Sequence, residues 1–177
     1  MYCFESFVND LERLLDTTGS YNEIIRNCTM YMKKLVSNRE LISQRTIDDI
    51  MSGSIDNTVY SSKRNDFVVQ IFTWDAKSIT PVHDHDTWGV MGIYYNKLFV
   101  TEYSLTNIDH NSYDINVSQE YFAKSGDVCY LIPPDEEIHK IENRTDSLSI
   151  SIHVYGKPIK EYNVYDLENG QIIHNVV

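Results

Sequence analysis

The sequence predicts a mainly β (α+β) protein, with a short helical lead-in packed on an antiparallel β-barrel. Three observations carry this. Apolar residues recur at helical spacing through the first third of the chain. From about Val59 onward, short runs of Val, Ile, Tyr and Phe alternate with turn residues. Helices come first and strands afterwards, with no βαβ alternation. At 177 residues, 42% apolar and 23% charged, the chain can bury one core. We divide it into a lead-in over 1–54 and a barrel over 55–177, forming one compact domain.

In order, Phe4, Phe7, Val8, Leu11, Leu14 and Leu15 mark a first helix in a segment free of Gly and Pro. Ser20 stands three residues before Glu23 in capping-box position, ahead of Ile24, Ile25, Cys28, Met32 and Leu35. A third helix is expected from Asn38 to Met51, ending at Gly53. Strands are expected at 67–74, 89–95, 98–103, 127–132, 147–155 and 161–166, and turn punctuation at such spacing indicates a sandwich or barrel.

Charge and cysteines narrow the function. Fifteen Lys and Arg face 26 Asp and Glu, a net charge of -11 that repels nucleic acid and anionic membranes. The apolar run from Val128 to Ile132 is far short of a bilayer span. Residues 1–5 have no basic n-region before an apolar stretch, so a cleaved signal peptide is not expected. Cys3, Cys28 and Cys129 lie far apart, with no C-x-x-C pair, which suits a reducing compartment. A cytoplasmic location is the expectation.

The histidines carry the chemistry. Of six, His83 and His85 form His83-Asp84-His85. On a strand, residues i and i+2 share a face, so both imidazoles can reach one point. Two surface histidines would look the same. Further on, Gly126-Asp127 leads into an apolar strand, Pro133-Pro134 turns the chain, and His139 falls on the next strand. Three neutral imidazoles suit iron(II), nickel, copper or zinc with open positions. On the alternative reading, His139 is an ordinary exposed residue beside Asp135-Glu136-Glu137. Ser151, His153 and Tyr155 share one strand face, where a hydrogen-bond chain can orient the phenol. His110 and His174 stand in polar contexts and are read as exposed.

Thr80-Pro81-Val82-His83-Asp84-His85 resembles the first metal motif of a cupin, and Gly126-Asp127 through Pro133, His139 and Asn143 resembles the second. More narrowly, Trp74, the stretch His83 to Gly89, His139 to Asn143 and Ser151 to Gly156 resemble the cysteine dioxygenase (thiol dioxygenase) family, in wording closest to its bacterial members. The resemblance covers roughly residues 55–170. It implies a cupin barrel, Fe(II) held by His83, His85 and His139, and Tyr155 supported by His153 and Ser151 beside a small thiol substrate and O2. It also implies the product, a sulfinate.

Two departures accompany the resemblance. Where some members carry a cysteine that crosslinks to the tyrosine, this chain reads Trp88-Gly89-Val90, so no crosslink is expected and Cys129 reads as a small buried residue. The family's carboxylate-binding arginine is replaced as well. The matching stretch is Asp56-Asn57-Thr58-Val59-Tyr60, and the region after Gly156 holds Lys157 and Lys160 but no arginine. Asp56 and Arg64 are thus the substrate-binding candidates, with Trp88 as a pocket wall or a packing residue. The alternatives to a thiol dioxygenase are a cupin oxygenase with a non-thiol substrate and a metal- or ligand-binding cupin without catalysis.

Overall fold

A computed structural model of the chain describes residues 2–109, 112–134 and 137–177. Three helices, α1 (Phe4–Thr17), α2 (Tyr21–Val36) and α3 (Gln44–Met51), precede the strands. These are β1 (Thr58–Ser61), β2 (Val68–Trp74), β3 (Val82–His83), β4 (Gly89–Tyr95), β5 (Lys97–Asp109), β6 (Ser112–Lys124), β7 (Val128–Leu131), β8 (His139–Glu142), β9 (Ser149–Tyr155), β10 (Glu161–Asp166) and β11 (Gln171–Val176). A five-stranded sheet runs β1-β2-β9-β4-β7 and a six-stranded sheet runs β11-β10-β3-β8-β5-β6. The pairings are antiparallel.

Strand alternation gives the five-stranded sheet two buried faces. Val69, Ile71, Val90, Ile152 and Val154 join the helical Leu11, Ile24, Cys28, Met32 and Leu35 in one core. The residues between them, including Phe72, Met91, Ile93, Ser151, His153 and Tyr155, turn to the other face. There Met91 and Ile93 meet Leu98, Val100 and Ile141 of the six-stranded sheet. The space between the sheets is the barrel interior. Gly92 shows how closely the helices approach: a Cβ on it would lie 2.6 Å from Met32 Cγ and 2.7 Å from Val36 Cγ1.

Several local expectations differ from the structure. Ser20 makes no side-chain cap; Thr18 instead accepts the Ser20 N–H at 3.2 Å and donates to Glu23 at 2.9 Å. The third helix starts at Gln44, because Ser43 caps it by accepting the Thr46 N–H at 3.1 Å. Residues 38–41 form a turn closed by Asn38. β6 and β11 were not expected, and β5 runs beyond Tyr103 to Asp109. β6 and β11 are the two edges of the six-stranded sheet and are largely exposed; β6 alternates in sequence only from Tyr113 to Ser118, and β11 does not alternate.

Gly92→Ala forces Met32 and Val36 to move, and overpacking of this kind costs about 1–3 kcal/mol. The expected outcome is a lower urea midpoint with an unchanged denaturant slope. A wild-type midpoint would mean that α2 does not press on β4 as described.

Candidate metal centre

Three short segments bring three imidazoles together. β3 pairs with β8 so that His83 stands directly opposite His139, and opposite residues of an antiparallel pair share a face. Their ring centroids are 4.9 Å apart. His85 lies just past β3, with its ring 4.7 Å from His83 and 4.9 Å from His139. One nitrogen from each ring lies within 4.8 Å of the others.

The intervening Asp84 points the opposite way and fastens the segment to β10. Its buried carboxylate accepts from the Asn163 backbone N–H, the Asn163 side-chain amide and the Tyr165 hydroxyl, each at 2.8 Å. The backbone is held from the other side too. One Glu137 oxygen accepts the N–H groups of His85 at 3.2 Å and Asp86 at 2.9 Å. Burial pushes the Glu137 carboxyl up to about 7. The histidine turn is therefore clamped by two carboxylates, neither of which belongs to the converging donor set.

Burial holds all three imidazoles below their ordinary pKa, His85 and His139 well below, with neighbouring rings adding to the effect on those two. Neutral rings are what a metal requires. His83 Nδ1 lies 3.0 Å from the Pro81 carbonyl oxygen. A carbonyl only accepts, so Nδ1 carries the proton and Nε2 keeps its lone pair for the cavity. His85 Nδ1 is buried with no hydrogen-bond partner among the described residues. The donor set fits a divalent ion of intermediate hardness.

Beside this group runs a directed hydrogen-bond chain. Trp74 Nε1–H donates to Ser151 Oγ at 2.8 Å. Ser151 Oγ lies 2.8 Å from His153 Nε2, and His153 Nδ1 lies 2.9 Å from the Tyr155 hydroxyl. The indole N–H fills one lone pair of Ser151 Oγ, and His153 is the hydroxyl's other partner among the described residues, so the serine hydrogen is paired only when it points at Nε2. In that tautomer Ser151 Oγ–H donates to Nε2, Nδ1–H donates to the phenol oxygen, and the phenol hydrogen is left for the cavity. Burial pushes His153 down to about 3 and raises Tyr155, so both stay neutral. The Tyr155 ring stacks on His85 at 5.3 Å and 19°. Gly89 leaves room for it, since a Cβ there would lie 3.1 Å from Tyr155 Cδ1.

The other sequence candidates lie apart from the histidines. Asp56 is exposed and accepts the Thr58 N–H at 2.6 Å, spending its carboxylate on a local turn. Arg64 turns toward the helices, where it pairs with Asp16 of α1. Trp88 is buried in the helix-facing core and lies against Gly156. Lys157 is exposed and pairs with Asp86. His174 is exposed, beside Asn163 and Glu161. His110 falls outside the described residues. Sequence reasoning missed the anchoring by Asp84 and Glu137, because their partners are about 50 to 80 residues away in the chain.

These features define a class: a two-sheet antiparallel β-barrel with N-terminal helices and a three-histidine group able to hold a metal ion. No family model matches the chain. Among solved structures, it is similar to a cupin 2 conserved barrel domain protein from Rhodopseudomonas palustris, at 10% identity and a TM-score of 0.46 over 63% of this chain and 66% of that one. It is also similar to a cupin-superfamily sugar phosphate isomerase from Silicibacter pomeroyi, at 13% identity and a TM-score of 0.44 over 64% of this chain and 69% of that one. A third, a conserved protein with a double-stranded beta-helix domain from Klebsiella pneumoniae, matches at 17% identity and a TM-score of 0.42 over 70% of this chain and 84% of that one. Likenesses this distant decide nothing about activity. No helix among the described residues is long and apolar enough to cross a membrane.

Purified protein should take up about one divalent ion per chain, and the double variant His83→Ala/His139→Ala should lose it. Metal analysis of the folded double variant checks this, and unchanged metal content would refute the site.

Acid should destabilise the metal-free fold through His153. Its folded pKa is about 3 against an ordinary 6.5, so below pH 6.5 the unfolded chain takes a proton that the folded one refuses. Stability present above pH 6.5 is lost toward pH 3 at about 1.4 kcal/mol per unit for this group. Urea unfolding at pH 6 and pH 5 should give a shallower pH slope for His153→Gln by about that amount.

Proposed function

We propose that this protein is an iron(II)-dependent thiol dioxygenase that converts a small thiol to its sulfinate. The observation that carries the reading is the chain from Trp74 to Tyr155, which leaves one phenol hydrogen unspent on a ring stacked over His85. The three-histidine group supports a metal, and the family resemblance of the motifs supports iron.

In the overall reaction a thiolate and O2 give a sulfinate. Two S–O bonds form, the O–O bond breaks, and sulfur gives up four electrons to oxygen. Iron(II), held by His83, His85 and His139, would supply open positions for thiolate and dioxygen. The chain's own residues orient and shield. Tyr155 stays protonated through burial and offers its hydrogen to a developing negative oxygen, with no prior donation to break. In the tautomer that pairs the Ser151 hydrogen, His153 Nδ1–H holds the phenol oxygen and leaves the phenol its own proton. Beside His139, His153 and Tyr155 the interior narrows to a slit walled by Met91, Val100 and Leu131.

Oxygen uptake by iron-loaded protein with a panel of thiols, with the product weighed by mass spectrometry, tests the reading. The expected gain is 32 mass units per thiol, about one O2 per product. Oxygen uptake with a non-thiol substrate alone, or ligand binding without turnover, would overturn it.

Tyr155→Phe removes one hydrogen-bond donor without opening a cavity. Turnover should fall about ten- to a hundredfold, the worth of a hydrogen bond to a charged group, with iron content unchanged. Trp74→Phe should cost less, since it frees the polarity of the chain without removing the phenol. Wild-type turnover in Tyr155→Phe would reduce that residue to packing.

A further inference from the structure

Register across the six-stranded sheet places one more group at the centre. β5 pairs with β8 so that Glu102 stands directly opposite His139, on the same face as His83 but across β8 from it. Opposite side chains on one face have Cβ atoms about 4.5–5.5 Å apart. Val100 and Leu98, two and four residues earlier on the same face, lie in the barrel interior with Ile141. Glu102 therefore points inward with them.

Two cavities meet at this carboxylate. One is the slit that also touches His139, His153 and Tyr155. The other is a cleft of about 670 Å³ between the β5–β6 hairpin and β7. Glu102, Tyr121, Cys129, Tyr130 and Leu131 line both. Tyr121 donates to Glu102 Oε1 at 2.6 Å, and Oε2 has no hydrogen-bond partner among the described residues. Among the residues lining the slit, Glu102 supplies the one carboxylate, and no Lys or Arg lies there. Lys33 and Asp127 line the outer cleft alone.

Resting on the dioxygenase reading above for the fate of the sulfur, we infer that Glu102 is a specificity-determining residue that selects an aminothiol, by binding its ammonium where the cleft meets the histidine chamber. A thiol turned toward the histidines would bring an amine two carbons away back toward β5. Tyr121 holds one oxygen of the carboxylate in place and leaves the other for the cation. A carboxylated thiol would instead set like charges together in a site with little water. The net charge of -11 favours approach of a cation in the same sense.

Three thiols of one length test this: cysteamine, 2-mercaptoethanol and 3-mercaptopropionate, which end in an ammonium, a hydroxyl and a carboxylate. Binding to metal-free protein is read by shifts of the Glu102 and Tyr121 amide resonances, and kcat/KM is read on iron-loaded protein. The expected order is cysteamine, then mercaptoethanol, then mercaptopropionate. The first should lead the second by about ten- to a hundredfold, the worth of one charge-assisted hydrogen bond. Glu102→Gln, which can still accept from Tyr121, should bring the first two together. Tyr121→Phe keeps the carboxylate and should keep the order, whether or not the Gln variant folds. Equal binding of all three to wild type, preference for the carboxylate, or an ammonium preference that survives in folded Glu102→Gln would each overturn the inference. Selective ammonium binding with no thiol oxidised would uphold Glu102 and overturn the dioxygenase reading instead.

Discussion

Register between β3, β8 and β5 is the constraint on which the site depends. It sets His83, His139 and Glu102 side by side on one inward face. A slip of one residue would turn every side chain of the slipped strand to the other face. In β8 that would trade His139 and Ile141 for Lys140 and Glu142, removing a ligand and leaving charges in the barrel. Core packing defends against the slip, because Ile141 meets Leu98 and Val100 on that same face. The packing that closes the barrel thus also holds the imidazoles in place.

Rigidity around the histidines comes from groups facing away from them. β3 is only two residues long, too short to fix His85 through ladder bonds alone. Asp84 and Glu137 make up the difference with five hydrogen bonds between them to β10 and to the histidine turn's own backbone. A buried carboxylate so satisfied is costly to disturb, which makes it a firm anchor. The price is a chamber with several titratable groups held away from their charged forms.

The five-stranded sheet answers a different demand. One of its faces must be apolar to carry the helices and the other must hold polar chemistry. β9 does both at once, with Ile150, Ile152 and Val154 toward the helices and Ser149, Ser151, His153 and Tyr155 toward the interior. All seven of its residues are buried. Ser149 survives there by donating to the Lys97 carbonyl, and the other three bond one another in sequence along the strand, beginning from the Trp74 indole on β2.

Much of this was legible in the sequence, because the signals were local. Helical spacing in the lead-in, His83 and His85 two apart, and Ser151, His153 and Tyr155 two apart all follow from the geometry of one element. So does the expectation that His139 falls on a strand. The edge strand β11 was illegible, since its exposed residues do not alternate, whereas β6 carries a short alternation at Tyr113, Ile115 and Val117. The substrate candidates Asp56 and Arg64 were sought by position along the chain, and their carboxylate and guanidinium are spent on Thr58 and Asp16. Glu102 had no motif to mark it. Its place beside His139 comes from pairing between strands 37 residues apart, and the sequence of neither strand specifies its partner. Periodicity determines which face a residue takes, but only the closed sheet decides which residues meet there.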